Sequence, residues 1–242
     1  MSAPPTMSTH PTPLPGYKER IKALAHGVLD PVVTGLAAAG VHPNHLTVLG
    51  FVLSLAAGLS FALGSFRLAA LITIASGLCD ILDGQLARRT GTISRFGAFF
   101  DSTLDRVADA FVLMGIAGYF AIQLVDMTMN PSRVLANLQH GLEPITYAVL
   151  ALVAMLAMVG SFMVSYTRAR AEGLGLECKV GWFERPERMV LVIIMGLAGI
   201  GPVIPAGLLI LTAFSFATAW QRMAHVWKLT REMGADSDST EA

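Results

Sequence analysis

The chain has 242 residues, of which 54% are hydrophobic and only 14% charged, with a mean hydropathy of +0.60. Ordinary soluble domains carry about 25% charged residues, so this composition excludes a water-soluble globule and points to a lipid bilayer as the solvent. Seventeen Lys and Arg balance seventeen Asp and Glu, a neutrality that argues against nucleic acid as a partner.

Residues 1–16 are rich in Pro, Ser and Thr and lack a long apolar core. They are expected to form a disordered leader and not a signal peptide. From 17 to 40, Lys18, Arg20 and Lys22 are mixed with Ile21, Leu24, Leu29 and Val33, the pattern of an amphipathic helix lying in the membrane interface. After a break at Pro43, Leu46 to Phe66 carries no charge and is predicted as the first span. The second starts near Arg67 and ends in Asp80, Asp83 and Arg88. The third carries Asp101, Asp105, Arg106 and Asp109 in its first half and is clean from Ala110 to Val125. A connector with Asn130, Pro131, Arg133 and His140 leads to a fourth span, Pro144 to Thr167. A charged stretch runs from Arg168 to Arg188. Met189 to Gln221 is uncharged but too long for one span, and Gly201-Pro202-Val203-Ile204-Pro205 divides it into a fifth and a sixth. Residues 231–242, with Asp236, Asp238 and Glu241, are expected to be a disordered acidic tail.

The expected fold is therefore an all-α integral membrane protein, with six transmembrane helices in residues 41–230 preceded by an N-terminal amphipathic interfacial helix. Fourteen of the seventeen Lys and Arg fall in alternate connections, whereas Arg67 and Arg133 lie on the other side and Arg106 within a span. By the positive-inside rule both termini face the cytoplasm. Cys79 and Cys178 form no metal or disulfide pattern.

The most informative residues are acidic. Asp80 and Asp83 share a face at the end of the second helix, and Asp101 and Asp105 share one at the start of the third. The short connection from Arg89 to Phe96 predicts that these helices are antiparallel neighbours, so that four carboxylates converge near the cytoplasmic side. One acid near the centre of a span costs about 2.5–3.5 kcal/mol, and four close together repel one another as well. Divalent Mg2+ or Mn2+ relieves both problems, and two such ions about 3.5–4 Å apart can clamp the attacking and leaving oxygens of a phosphoryl displacement. Gly84 and Gly97 let the backbone approach a bulky diphosphate. Ion pairing of the acids with Arg88, Arg95 and Arg106 would explain neither the spacing nor the glycines. Asp109, one turn beyond Asp105, reads either as support for the metal cluster or as a partner of Arg106.

A second constellation is basic. Arg168, Arg170, Arg185, Arg188 and Arg222 come from three helices on the predicted cytoplasmic side. They read either as anchors to lipid headgroups or as a binding site for the phosphate of an acceptor, a task that suits the guanidinium fork.

The run Asp80-x2-Asp83-Gly84-x2-Ala87-Arg88-x8-Gly97-x3-Asp101-x3-Asp105 resembles the signature of the CDP-alcohol phosphotransferase family at all eight fixed positions. The resemblance implies two divalent metal ions, Mg2+ or Mn2+, one held by Asp80, Asp83 and Asp101 and the other by Asp83, Asp101 and Asp105. It further implies Asp105 as the general base for the acceptor hydroxyl, and Gly84 and Arg88 as CDP-binding residues. Pro43-Asn44-x2-Thr47 is similar to a family feature that lines the nucleotide pocket, although Asn44 and Thr47 also suit a helix cap.

Within the family, the Arg168–Gly175 and Glu184–Arg188 runs and Gln221-Arg222-x3-Val226-Trp227 look like the bacterial phosphatidylinositol-phosphate synthases, over roughly residues 40 to 228. That likeness implies transfer of a phosphatidyl group from CDP-diacylglycerol to inositol phosphate, with release of CMP, by direct attack of the acceptor hydroxyl. It assigns Arg168, Arg188 and Arg222 to the acceptor's phosphate, with Arg170 and Arg185 nearby. Arg168 departs from the lysine often found at that position. A homodimer in a bacterial cytoplasmic membrane, with the active site facing the cytoplasm, is the implied setting. The alternatives are a phosphatidylglycerophosphate synthase using glycerol 3-phosphate and, from another class, a cation transporter. A cation path gains nothing from Arg88 beside its carboxylates.

Overall fold

The computed structural model describes residues 29–130 and 143–240. The leader, residues 17–28 of the proposed interfacial segment and the connector around Pro131 and Arg133 lie outside the described residues. Within them are helices only: α1 (Leu29–Ala38), α2 (Pro43–Ala62), α3 (Phe66–Thr90), α4 (Arg95–Met129), α5 (Pro144–Gly173), α6 (Arg185–Ala198) and α7 (Val203–Thr240).

Prolines and caps set the starts of these helices. Pro43 follows His42, whose Nδ1 accepts from the backbone N–H of Asn44 at 3.2 Å, and the Ser94 hydroxyl accepts from Gly97 N–H at 2.9 Å to open α4. Pro144 and Pro186 occupy the first turns of α5 and α6, where a missing N–H costs nothing. The break between α6 and α7 falls at Gly199–Pro202, overlapping the start of the expected Gly201–Pro205 break.

Four helices, α2, α4, α5 and α7, are long and apolar enough to cross a membrane. Leu59, Val125, Leu152 and Leu209 are each more than half exposed on their outer faces, a surface that only lipid tolerates at this density. The protein is a multi-pass membrane protein. The two other predicted spans, α3 and α6, are not among these four, for identifiable reasons. The last third of α3 carries Asp80, Asp83, Arg88 and Arg89. α6 has 14 residues, about 21 Å at 1.5 Å per residue, against a hydrocarbon core of about 30 Å.

The helices close into a ring. α2 lies against α3 and α4, α4 against α5, α5 against α7, α7 against α6, and α6 against α3. Two of these contacts bring backbone to backbone. A Cβ on Gly115 of α4 would stand 2.0 Å from the carbonyl oxygen of Gly58 on α2, and one on Gly58 would stand 2.4 Å from that of Phe111. Small residues allow this approach, as at many membrane helix crossings. Gly196 of α6 is likewise used inside the chain, against Ala70 and Phe66.

The structure differs from the sequence-based expectation in two places. α3 and α4 pack less closely on each other than either does on α2, and across the space between them the carboxylates of Asp80, Asp101 and Asp105 come together. The expected disordered tail is helical from 231 to 240, as a continuation of α7. Extending an existing helix is cheap once nucleated, and the Arg231 guanidinium lies 5.3 Å over the Trp227 ring.

The core fills the ring from the end opposite the acids. Phe61, Phe66, Tyr119, Phe120 and Tyr147 form a chain of tilted and edge-to-face rings, 4.9–6.2 Å between centroids. They floor the polar interior. At the other end α1 docks Val33 against Leu46 and Leu86, and Arg89 pairs with Asp30 at 2.5 Å.

Candidate active site

Asp80, Asp83, Asp101 and Asp105 line one cavity at the Thr90 end of the ring, together with Thr47, Ser54, Ser76 and Arg185. One oxygen from each of Asp80, Asp101 and Asp105 lies within 4.8 Å of the other two. Asp83 contributes from the side, with its Oδ2 accepting from the Thr47 hydroxyl at 2.7 Å. Oδ1 of Asp101 is buried without a hydrogen-bond partner among the described residues, and a buried carboxylate oxygen left so is costly unless something else binds it. An all-carboxylate donor set with such an orphan fits hard divalent cations.

Among the described residues none of Arg88, Arg95 and Arg106 forms a salt bridge with these acids. Arg185 does. Its Nη1 donates to Asp80 Oδ2 at 2.7 Å and its Nε to Asp109 Oδ1 at 3.2 Å, and its Nη2 lies 2.9 Å from Asp105 Oδ1. Arg188, from the next turn of α6, reaches Asp109 Oδ2 at 3.2 Å. Two guanidiniums against five carboxylates leave a formal net negative charge, which divalent cations would offset.

Two clefts flank the acids. On one side Asn44, Thr47, Asp83, Gly84, Arg88, Gly97 and Asp101 line an open cleft of about 710 Å³, counting its mouth. A Cβ on Gly97 would stand 3.0 Å from Ser94 Oγ, and one on Gly84 would stand 3.6 Å from Arg88 Nη1. Both glycines thus keep clear the space that a bulky ligand needs beside Asp83 and Asp101. Neither Asn44 nor Thr47 caps α2 with its side chain, because His42 does. Both are left to the cleft and, for Thr47, to Asp83.

On the other side Asp105, Arg106, Asp109, Ser165, Arg168, Glu184, Arg185, Arg188 and Arg222 line a basic cleft of about 600 Å³, counted the same way. Arg188 is 3% exposed, yet its Nε and Nη1 have no partner among the described residues. Arg222, 2% exposed, is held by the carbonyls of Val180 (2.8 Å) and Val164 (2.5 Å) and by Glu184 Oε1 at 3.2 Å. Gly181 allows that arrangement. It sits at φ +122, and a Cβ there would stand 2.6 Å from Thr218 and 3.4 Å from Arg222 Nε. Arg168 pairs with Glu172 at 2.8 Å and lies 3.9 Å from Glu184. Arg170 is exposed and outside this cleft.

Four of the five arginines singled out from sequence therefore meet in one place, and Arg185 faces the acids as well. Sequence reasoning missed Glu184, whose only signal was its place immediately before Arg185 and Pro186. It left open the role of Asp109, which binds Arg185 and Arg188.

A family model, CDP-alcohol phosphatidyltransferase, matches residues 40–227. The chain is 37% identical over 204 residues to the archaetidylinositol phosphate synthase of Methanothermobacter thermautotrophicus, covering 83% of this chain and 89% of that one. It is 32% identical over 211 residues to the phosphatidylinositol phosphate synthase of Mycobacterium tuberculosis, covering 83% and 86%. The crystal structure of the phosphatidylinositol phosphate synthase of M. tuberculosis with CDP-DAG bound is similar at a TM-score of 0.68 and 30% identity, over 81% of this chain and 92% of that chain. The same enzyme in complex with manganese and citrate gives a TM-score of 0.66 and 31% identity, over 81% and 88%. With the metal-fitting acids and both clefts inside the matched residues, this chain belongs to the CDP-alcohol phosphatidyltransferase family.

Proposed function

We propose that the chain transfers a phosphatidyl group from CDP-diacylglycerol to inositol phosphate, giving phosphatidylinositol phosphate and CMP. The observation that carries this reading is the pair of buried, unpartnered donors of Arg188 in a basic cleft that shares Asp105 with the acidic cavity. An acceptor bearing its own phosphate satisfies those donors, and its hydroxyl then lies beside a carboxylate. The relatives support the acceptor, since the archaeal enzyme is named for archaetidylinositol phosphate and the mycobacterial one for phosphatidylinositol phosphate.

The nucleotide diphosphate occupies the cleft of Asn44, Thr47, Gly84 and Arg88, with Arg88 donating to phosphate oxygens, while the acyl chains stay in the bilayer. Arg188 and Arg222, with Arg168 at the mouth, bind the acceptor phosphate and so orient its hydroxyl. Asp105 accepts the hydroxyl proton as the oxygen attacks the phosphorus next to the diacylglycerol, and CMP leaves. Two divalent ions held by Asp80, Asp83, Asp101 and Asp105 supply charge that offsets what builds on the leaving oxygen.

We place the site on the cytoplasmic face of a bacterial membrane, with six spans and both termini inside. The support is the concentration of Lys and Arg at one end of the helices. A homodimer completes the proposal on family likeness alone.

Purified protein supplied with CDP-diacylglycerol and Mg2+ and offered inositol phosphate, inositol and glycerol 3-phosphate in parallel tests the acceptor. CMP release is expected with inositol phosphate. Product from glycerol 3-phosphate only would replace the acceptor, and an arm with a CDP-activated ether lipid separates the two lipid classes of the relatives.

A further inference from the structure

Asp109 falls outside the signature that ends at Asp105, yet it is the most enclosed acid of the basic cleft. Its side chain is 8% exposed, and its two oxygens are engaged by different arginines of α6: Oδ1 by Arg185 Nε and Oδ2 by Arg188 Nη2, each at 3.2 Å. Arg185 continues through its other two nitrogens to Asp80 and Asp105. Among the described residues the Arg188 guanidinium has no other partner, and its Nε and Nη1 stay buried and unpaired at the cleft. One carboxylate thus anchors the arginine that faces an incoming anion and the arginine that touches the acids.

We infer that Asp109 is a positioning residue for the acceptor: by holding Arg188 through Nη2 it aims the remaining N–H groups of that guanidinium at the acceptor's phosphate. The inference rests on reading the basic cleft as the acceptor-phosphate site. A guanidinium on a long side chain has several rotamers, and a charged hydrogen bond from a helix on the opposite wall removes most of that freedom before the ligand arrives. Asp109 makes no contact with the reacting atoms in this role, so its removal should weaken acceptor binding and leave the nucleotide cleft alone.

The test is Asp109→Asn, with KM measured separately for inositol phosphate and for CDP-diacylglycerol, and with the thermal shift caused by inositol phosphate alone. The expected result is a rise of about tenfold or more in KM for inositol phosphate, a KM for CDP-diacylglycerol within about twofold of the parent, and loss of the thermal shift. Asp109→Glu should fall between the parent and Asp109→Asn. In an Arg188→Gln background Asp109→Asn should add little, since both changes remove the same interaction. An unmoved acceptor KM, an equal rise in both constants, or full additivity with Arg188→Gln would overturn the positioning role. If Asp109→Asn does not fold, Asp109→Glu is read by the same two constants. A parent protein that does not turn over inositol phosphate sinks the substrate reading and this inference with it; a parent that does, beside an unmoved variant, sinks this inference only.

Discussion

The Thr47 hydroxyl and Asp83 are 36 residues apart in sequence and 2.7 Å apart in space. That bond occupies one oxygen of Asp83 and so settles which way the other faces, the task of outer partners around a metal. Replacing Thr47 by Val should raise the Mg2+ concentration for half-maximal CMP release by about 10–100-fold, while costing only about 1 kcal/mol of stability. An unchanged metal titration would show that Asp83 needs no such orientation. Asp105 belongs to both the acidic cavity and the basic cleft. Asp105→Asn should lower kcat by about 10²–10⁴-fold, the range for losing a general base, with the protein still folded and still binding the CDP-lipid. Turnover within about tenfold of the parent would remove Asp105 from the chemistry.

Among elements, the α2–α4 crossing supports the acidic cavity, because α2 packs against both α3 and α4 and lines the cavity with Thr47 and Ser54. Its tightness depends on Gly58 and Gly115. Gly115→Ala would drive a Cβ to 2.0 Å from a carbonyl oxygen, which neither backbone can absorb locally. A loss of about 1–3 kcal/mol or more is expected, read as a lower unfolding midpoint in detergent. Gly77 of α3 is the control, since a Cβ there meets nothing within 4 Å, and Gly77→Ala should be neutral or slightly stabilising. Equal effects of the two changes would mean that helix propensity, and not contact, sets the cost. α6 illustrates a different economy. It is short, but its first turn places Arg185 and Arg188 three residues apart on one face, and that turn reaches both the acids and the basic cleft.

The whole molecule is a ring with an apolar, aromatic-floored end and a charged end. This polarity predicts how it sits in a membrane. Single cysteines at Ser65 and Thr92, both exposed and at opposite ends of α3, report the orientation, because the native Cys79 and Cys178 are buried. A membrane-impermeant thiol reagent applied to intact cells should label Ser65→Cys and should reach Thr92→Cys only after lysis. The reverse pattern would invert the topology.

Much of this was legible beforehand. The all-helical class, the break near Gly201–Pro205 and the gathering of acids follow from hydropathy, prolines and three- and four-residue spacings, all of which act within a helix or its immediate junctions. What short-range rules could not supply is how the helices are arranged around one another. α3 and α4 are joined by a short turn, yet both pack mainly on α2, because Gly58 and Gly115 permit a close α2–α4 approach. Nor could spacing reveal that Arg185 bridges Asp80, Asp105 and Asp109, or that Arg188 keeps two donors free. Those outcomes depend on three helices meeting at one end of a closed ring, where only the tertiary fold determines which charge meets which.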